Sequence, residues 1–343
     1  MVDQPIDRAW LARLHPGNFA MVMASGIIAV GLADLGFNAL AEGFAVFAVL
    51  AWCVLLVLSG LRLIRHAGQV KQDLLNPRMV FAFFTLVAAT DIIGMLAVQR
   101  GMPDWALVCW AIAFIAWCLL LYLAFAVLTF ISHENNVNIM HGGWLIAIVG
   151  TQSLVILGAH LVPSLGVFSD LMRVEVHMLW GLGLIFYGIF VTLFCYRIFF
   201  LLLRPSDASP LLWVVMGAAA ISANAGTSLL AIEPSLVFLN AQRAFIEGVT
   251  MMLWAWGTWW IPLLCLFGIW KHGINRMPLR YEPILWSWVF PLGMYAVASA
   301  KLGLAADFAP LRWISAGMIW VAVFAWCVTL AGLCLSFWRY RHR

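Results

Sequence analysis

The side chain most able to do chemistry here is Asp91, the single charged residue between Arg78 and Arg100 in an otherwise apolar run. A carboxylate at bilayer depth costs about 2.5–3.5 kcal/mol even on a lenient insertion scale, so it must face a cavity or a partner. The nearest cation by depth is Lys301. Two roles stand side by side: a structural ion pair with Lys301 or a contact to backbone, or a group that couples protons to a substrate. A bare carboxylate would repel anions, so an anion-filled cavity requires Asp91 to be paired or protonated. Asn18, Ser25, Gly26, Thr90, Thr151, Asn224 and Thr227 are candidates to line a pore. Their amides and hydroxyls could replace part of an ion's hydration shell. The plainer reading is that small residues let helices approach and hydroxyls bond across them.

Three further groups carry positional meaning. Pro291 removes a helical hydrogen bond and, with Gly293, marks a kink in Val289-Phe290-Pro291-Leu292-Gly293. A freed carbonyl at membrane depth is tolerated where protein or a water-filled cavity satisfies it. The ring of Phe290 could plug a narrow pore, although spacing alone favours a core phenylalanine. Arg173 and Arg243 lie near outer span ends with Glu175, His177 and Glu247. Interfacial pairing such as Arg243–Glu247, four residues apart, is the simple account. A positive outer vestibule that attracts anions, shared with Lys301 and Arg312, is the functional one.

Other chemistries lack their residues. The sequence has no Gly-rich phosphate loop, HExxH motif or nucleophile elbow. The eight histidines sit in loops or near span ends, with no mid-membrane pair for haem. The seven cysteines form no CxxC and read as small apolar fillers. No catalytic residue, metal or cofactor is expected, and a membrane redox subunit is a remote alternative. A net charge of +4, scattered along the chain, suggests no nucleic-acid partner.

The elements that must position these groups are membrane spans. Hydrophobic residues make up 65% of the 343 and charged residues 10%, where a soluble domain is typically about 25% charged. Lipid must be the solvent for most of this surface. Ten apolar stretches cover about 17–36, 42–64, 79–98, 105–131, 143–162, 173–203, 211–232, 241–270, 283–303 and 311–338. The fold expected is all-α, with ten transmembrane helices as five tandem hairpins around a central pore. One domain, 17–338, lies between short termini at 1–16 and 339–343. The odd-numbered spans hold nearly all the amide and carboxylate groups at membrane depth, whereas the fourth is almost wholly aliphatic and aromatic. Odd helices that surround something polar, insulated by even ones, point to transport. Trp105, Trp144, Trp213, Trp270, Trp286, Trp313 and Trp338 fall near span ends and read as an aromatic belt.

Of the 19 Lys and Arg residues, 14 fall on the side that holds both termini and 5 on the other. The positive-inside rule then places both termini in the cytoplasm. The neutral loop around His133-Glu134-Asn135-Asn136 is the weak point of that assignment. Met1 to Leu14 lacks a basic start followed by an apolar run and does not resemble a cleaved signal peptide.

Two stretches resemble a known family. Leu14-His15-Pro16-Gly17-Asn18-Phe19-Ala20-Met21-Val22-Met23-Ala24-Ser25-Gly26-Ile27 is similar to the opening helix of the tellurite-resistance/dicarboxylate transporters, and Val289 to Tyr295 to their ninth. That family includes bacterial tellurite-resistance proteins, fungal malate permeases and sulfite pumps, and plant slow anion channels. The resemblance implies a homotrimer in the bacterial inner membrane with one pore per subunit. Its substrates would be small anions or C4-dicarboxylates: malate-like acids, sulfite, tellurite or halide. It also implies a ninth-helix phenylalanine, Phe290, that occludes the pore. A proton-coupled carrier with Asp91 in the coupling path is the alternative. Regulation through long cytoplasmic tails, as in the plant channels, is not expected.

Overall fold

A computed structural model describes residues 9–131, 140–233 and 235–341. The His133–Asn136 loop and Arg8 lie outside the described residues. Among the described residues, ten helices are long and apolar enough to cross a membrane. They are α1 (Pro16–Asp34), α2 (Asn38–Arg65), α3 (Val80–Gln99), α4 (Pro103–Ile131), α5 (Gly142–Ser164), α6 (Gly166–Phe200), α7 (Pro210–Leu230), α8 (Val237–Ile274), α9 (Pro283–Ala305) and α10 (Ala309–Ser336). The expected ten spans are all present. α6 and α8 begin earlier than hydropathy alone indicates, at Gly166 and Val237, because short apolar turns (Val167-Phe168 and Val237-Phe238-Leu239) precede the polar residues Ser169, Asp170 and Asn240.

Burial separates the helices into two rings. In α1, α3, α5, α7 and α9, between 72 and 94% of the apolar window is buried, against 17 to 33% in the even-numbered helices. Such one-sided exposure is what a lipid-facing helix shows, since nothing but acyl chains need cover it. The odd helices touch in chain order, α1 to α3 to α5 to α7 to α9, and α9 closes back on α1. Each even helix packs on the inner helix of its own hairpin and also on the next inner helix round the ring.

Small residues set the close approaches within the inner ring. A Cβ on Gly26 would stand 2.6 Å from Ile92 of α3, and one on Gly217 of α7 would stand 2.8 Å from Pro291 of α9. A Cβ on Gly293 would stand 2.8 Å from Ile27 of α1. α9 is therefore wedged between α7 and α1, with its proline and glycine at the two contact faces. Lipid tails offer no hydrophobic drive for helix association, so this close van der Waals packing carries much of the assembly.

All five inner helices begin with a 3₁₀ turn: Pro16–Phe19, Val80–Phe83, Gly142–Leu145, Pro210–Trp213 and Pro283–Leu285. Proline at the first position fits three of them, because its fixed φ suits a helix start and its missing N–H is an orphan there anyway. The five turns contact one another in sequence and form a closed collar at one end of the molecule. Trp144 and Trp286, expected in the aromatic belt, are instead buried in this collar. They sit on inner helices, where neighbours cover every side. Trp144 stacks on Phe81, and Trp286 donates to the Tyr281 hydroxyl at 3.2 Å. Trp105, Trp313 and Trp338 are exposed, as a belt requires.

Candidate functional site

An axial cavity of about 280 Å³ is lined by residues from all five inner helices. Ile27, Ile92, Ile221, Met294 and Val297 supply apolar wall, and Phe290, only 5% exposed, lies at the deep end. The end away from the 3₁₀ collar carries Asp34, Gln99 and His160, which are exposed, and Lys301, which is half-buried. The cavity thus opens away from the collar and runs inward to buried Phe290.

Three polar side chains lie along the cavity below its mouth: Asp91, Ser153 and Asn224. The Ser153 hydroxyl lies 2.6 Å from Asp91 Oδ2 and 2.9 Å from the Gly150 carbonyl, with one proton to share between them. Asp91 Oδ1 is buried with no hydrogen-bond partner among the described residues. Asn224 Nδ2 has the Met294 sulfur at 3.7 Å, a weak acceptor. The Asp91–Lys301 pair is corrected. Lys301 Nζ is 3.0 Å from a carboxylate oxygen of Asp34. Asp34 ends α1 at the same level as Lys301 near the end of α9, where both heads reach water; Asp91 is two turns deeper.

Most of the hydroxyls expected in the pore face the other way. Trp326 of α10 donates to Ser25 of α1 at 2.8 Å. Trp52 of α2 donates to Thr90 of α3 at 3.3 Å, Trp117 of α4 to Thr151 of α5 at 2.8 Å, and Trp254 of α8 to Ser299 of α9 at 2.8 Å. Trp180 of α6 completes the set by donating to the Ser222 carbonyl of α7 at 3.1 Å. Every outer helix therefore ties itself to the inner helix of the next hairpin through at least one indole N–H, and α4 adds a second from Trp110 to the Leu154 carbonyl at 3.0 Å. The four hydroxyls spend their own protons on carbonyls one turn back, at Met21, Leu86, Ala147 and Tyr295, the common fate of Ser and Thr inside helices. Ser25, Thr90 and Thr151 are thus bonds between the rings rather than pore lining.

Other expected residues are also corrected. Thr227 donates to the Asn224 carbonyl at 2.7 Å and lies off the cavity. Gly26 packs α1 on α3. Asn18 is half-buried in the first collar turn, away from the cavity. Arg243 does not pair with Glu247; its Nη2 donates to the Leu230 carbonyl at 2.7 Å and its Nη1 to that of Ile232, capping the C-terminus of α7. Carbonyls left without an intrahelical partner at the negative end of a helix dipole attract a guanidinium, and an exposed carboxylate pair is worth little in water. Arg173 pairs with Asp170 at 2.6 Å. Neither arginine lines the cavity. Its mouth is formed by Asp34, Gln99 and His160 as well as Lys301. Sequence reading missed the first three because each ends a helix and looks like an ordinary interfacial polar residue.

At the collar, His15 and His141 hold matching positions in the first and third hairpins. Nδ1 of each accepts a backbone N–H two residues on, from Gly17 at 2.9 Å and Gly143 at 3.1 Å. With Nδ1 accepting, the proton sits on Nε2, which in His141 donates to the Arg78 carbonyl at 3.0 Å. Burial holds both imidazoles below the usual histidine range. Among the described residues no group of His, Cys, Asp or Glu could hold a metal ion.

Five buried helices around an axial cavity, sheathed by five lipid-length helices, define a multi-pass membrane protein. Residues 13–334 match the family described as voltage-dependent anion channel, SLAC1. Two uncharacterized transporters of Methanocaldococcus jannaschii align along nearly the whole chain. One is 25% identical over 324 residues, covering 92% of this chain and 91% of the relative. The other is 23% identical over 335 residues, covering 94% of each. An uncharacterized membrane protein of Mycobacterium tuberculosis is 41% identical over 131 residues, which is 38% of this chain and 66% of that relative, just under two thirds of its length. The chain belongs to the voltage-dependent anion channel family.

Proposed function

We propose that each subunit is a passive path for small anions, closed at rest by Phe290. The observation that carries this reading is the cavity itself: all five inner helices line it, and the buried ring of Phe290 forms part of its wall. An aromatic ring in an apolar constriction excludes both water and ions, and it opens by turning aside. The positive ends of five helix dipoles converge at the collar, which favours anions at that end. The collar lies at the Lys- and Arg-rich end of the molecule, so the positive-inside rule assigns it and both termini to the cytoplasm. The inner membrane of a bacterium, a homotrimer with one pore per subunit, and a single transmembrane domain at 17–338 complete the proposal. Candidate substrates are halide, sulfite, tellurite and malate-like dicarboxylates.

The test is anion flux into proteoliposomes, comparing chloride, sulfite and malate with and without an imposed pH gradient. Fast passive flux of several anions supports the channel reading. Slow uptake of one acid that collapses with the gradient overturns it in favour of a proton-coupled carrier. That second reading has its own observation: Asp91 stands on the cavity with an unpartnered oxygen.

A further inference from the structure

Building on the anion-transport reading, we infer that Asp91 and Asn224 form a recognition site for anions that carry their own O–H group, monoprotonated oxyanions above all. The argument begins with proton counting. Ser153 has one hydroxyl proton and two acceptors within reach, Asp91 Oδ2 and the Gly150 carbonyl. Asp91 is 1% exposed, and the nearby lysine is engaged by Asp34. An ionised carboxylate would leave a buried charge without a counter-ion, an arrangement proteins avoid. A neutral acid resolves the whole chain. Asp91 donates from Oδ2 to Ser153, Ser153 donates to Gly150, and no net charge is buried.

That arrangement leaves Oδ1 as a carbonyl-type acceptor with lone pairs and no donor. Asn224, on the same cavity, holds the opposite need. Its Nδ2 carries protons whose neighbour is the Met294 sulfur at 3.7 Å. One acceptor and one donor on a single apolar cavity of about 280 Å³ match a ligand that offers O–H to the first and O⁻ to the second. A halide or a fully deprotonated oxyanion can use Asn224 but meets lone pairs at Asp91.

The remaining charged or titratable groups on the surrounding elements do not disturb this match. α1 contributes Asp34, α9 Lys301 and α5 His160, all at the mouth. Asp34 and Lys301 neutralise each other. α4 contributes Cys109 behind α3, and α7 faces the cavity with the uncharged Asn224.

Dihydrogen phosphate and perchlorate separate the possibilities, because both are tetrahedral monoanions and only the first has O–H groups. Flux of each into proteoliposomes is measured at mildly acidic pH, where phosphate is a monoanion. Asp91→Leu should lower the phosphate-to-perchlorate permeability ratio about tenfold, the worth of one directed hydrogen bond. Asp91→Asn keeps an oxygen toward the cavity and an N–H toward Ser153, so its ratio should stay within about twofold of wild type. Asp91→Ala, smaller and a strong helix former, replaces the leucine variant if that one does not fold. An unchanged ratio in Asp91→Leu and Asp91→Ala, in monodisperse protein, overturns the site. If wild type moves neither anion, the transport reading itself falls.

Discussion

The axis-facing and outward-facing surfaces of the inner helices both carry polar side chains and put them to different uses. Outward, Ser25, Thr90, Thr151 and Ser299 accept indole N–H groups from the surrounding helices and spend their protons on their own backbone. Toward the axis, Asp91 and Asn224 stand among apolar side chains with hydrogen-bonding capacity left over. A polar residue on a buried helix thus reveals little by its type. What distinguishes the two surfaces is whether a partner has already been supplied.

The largest expected effect lies on the axial surface. Phe290→Ala should raise anion flux about tenfold or more by removing an apolar plug. Unchanged flux in well-folded protein would remove Phe290 from the gating role. The outward surface should respond in the opposite manner. Thr151→Val strands the Trp117 indole in apolar surroundings and should cost about 1–3 kcal/mol of stability. It should lower the thermal midpoint in detergent while flux per folded molecule stays as in wild type. A flux change with no stability loss would erase the distinction between the two surfaces.

A smaller effect is expected at the mouth. Lys301→Met leaves Asp34 without its cation at the entrance. It should slow anion uptake about two- to fivefold at low salt, with the deficit shrinking as ionic strength rises. Salt-independent slowing would mean that Lys301 acts through packing.

The smallest effect concerns the collar. His15 and His141 are held below the usual histidine value by burial, so the unfolded chain takes up protons that the folded one refuses. Their contribution is complete above the ordinary histidine pKa of about 6.5 and is lost as pH falls through and below it. Melting temperature should therefore drop between neutral and acidic pH. The drop should be shallower in the His15→Asn, His141→Asn double variant, since asparagine can cap the same turns without titrating. A slope identical to wild type would place the acid sensitivity elsewhere.

The number of spans, their pairing and the inner position of the odd helices could all be read from hydropathy and from where the polar residues fall, because lipid imposes a length and an apolar surface that composition records directly. Side-chain direction could not be read so well. Ser25 and Asn224 look alike along a span, and only the packed ring shows that Trp326 covers one while the cavity meets the other. Asp91 stood out because a membrane carboxylate is costly wherever it points. Its partner was misjudged, because depth alone could not tell that Lys301 and Asp34 end neighbouring helices at one level. The mouth residues Gln99 and His160 carried no signal beyond polarity at a helix end.

The indole bonds run from α2 to α3, α4 to α5, α6 to α7, α8 to α9 and α10 to α1. Together with the hairpin turns they make a hoop with no free end. A hoop cannot swing open like a hinge: any widening must be shared by every stave at once, and each tie resists it. Rotation of a single aromatic side chain is then the least costly way to change the bore. Such a wall acts as a rigid sleeve, and the moving part is a stopper.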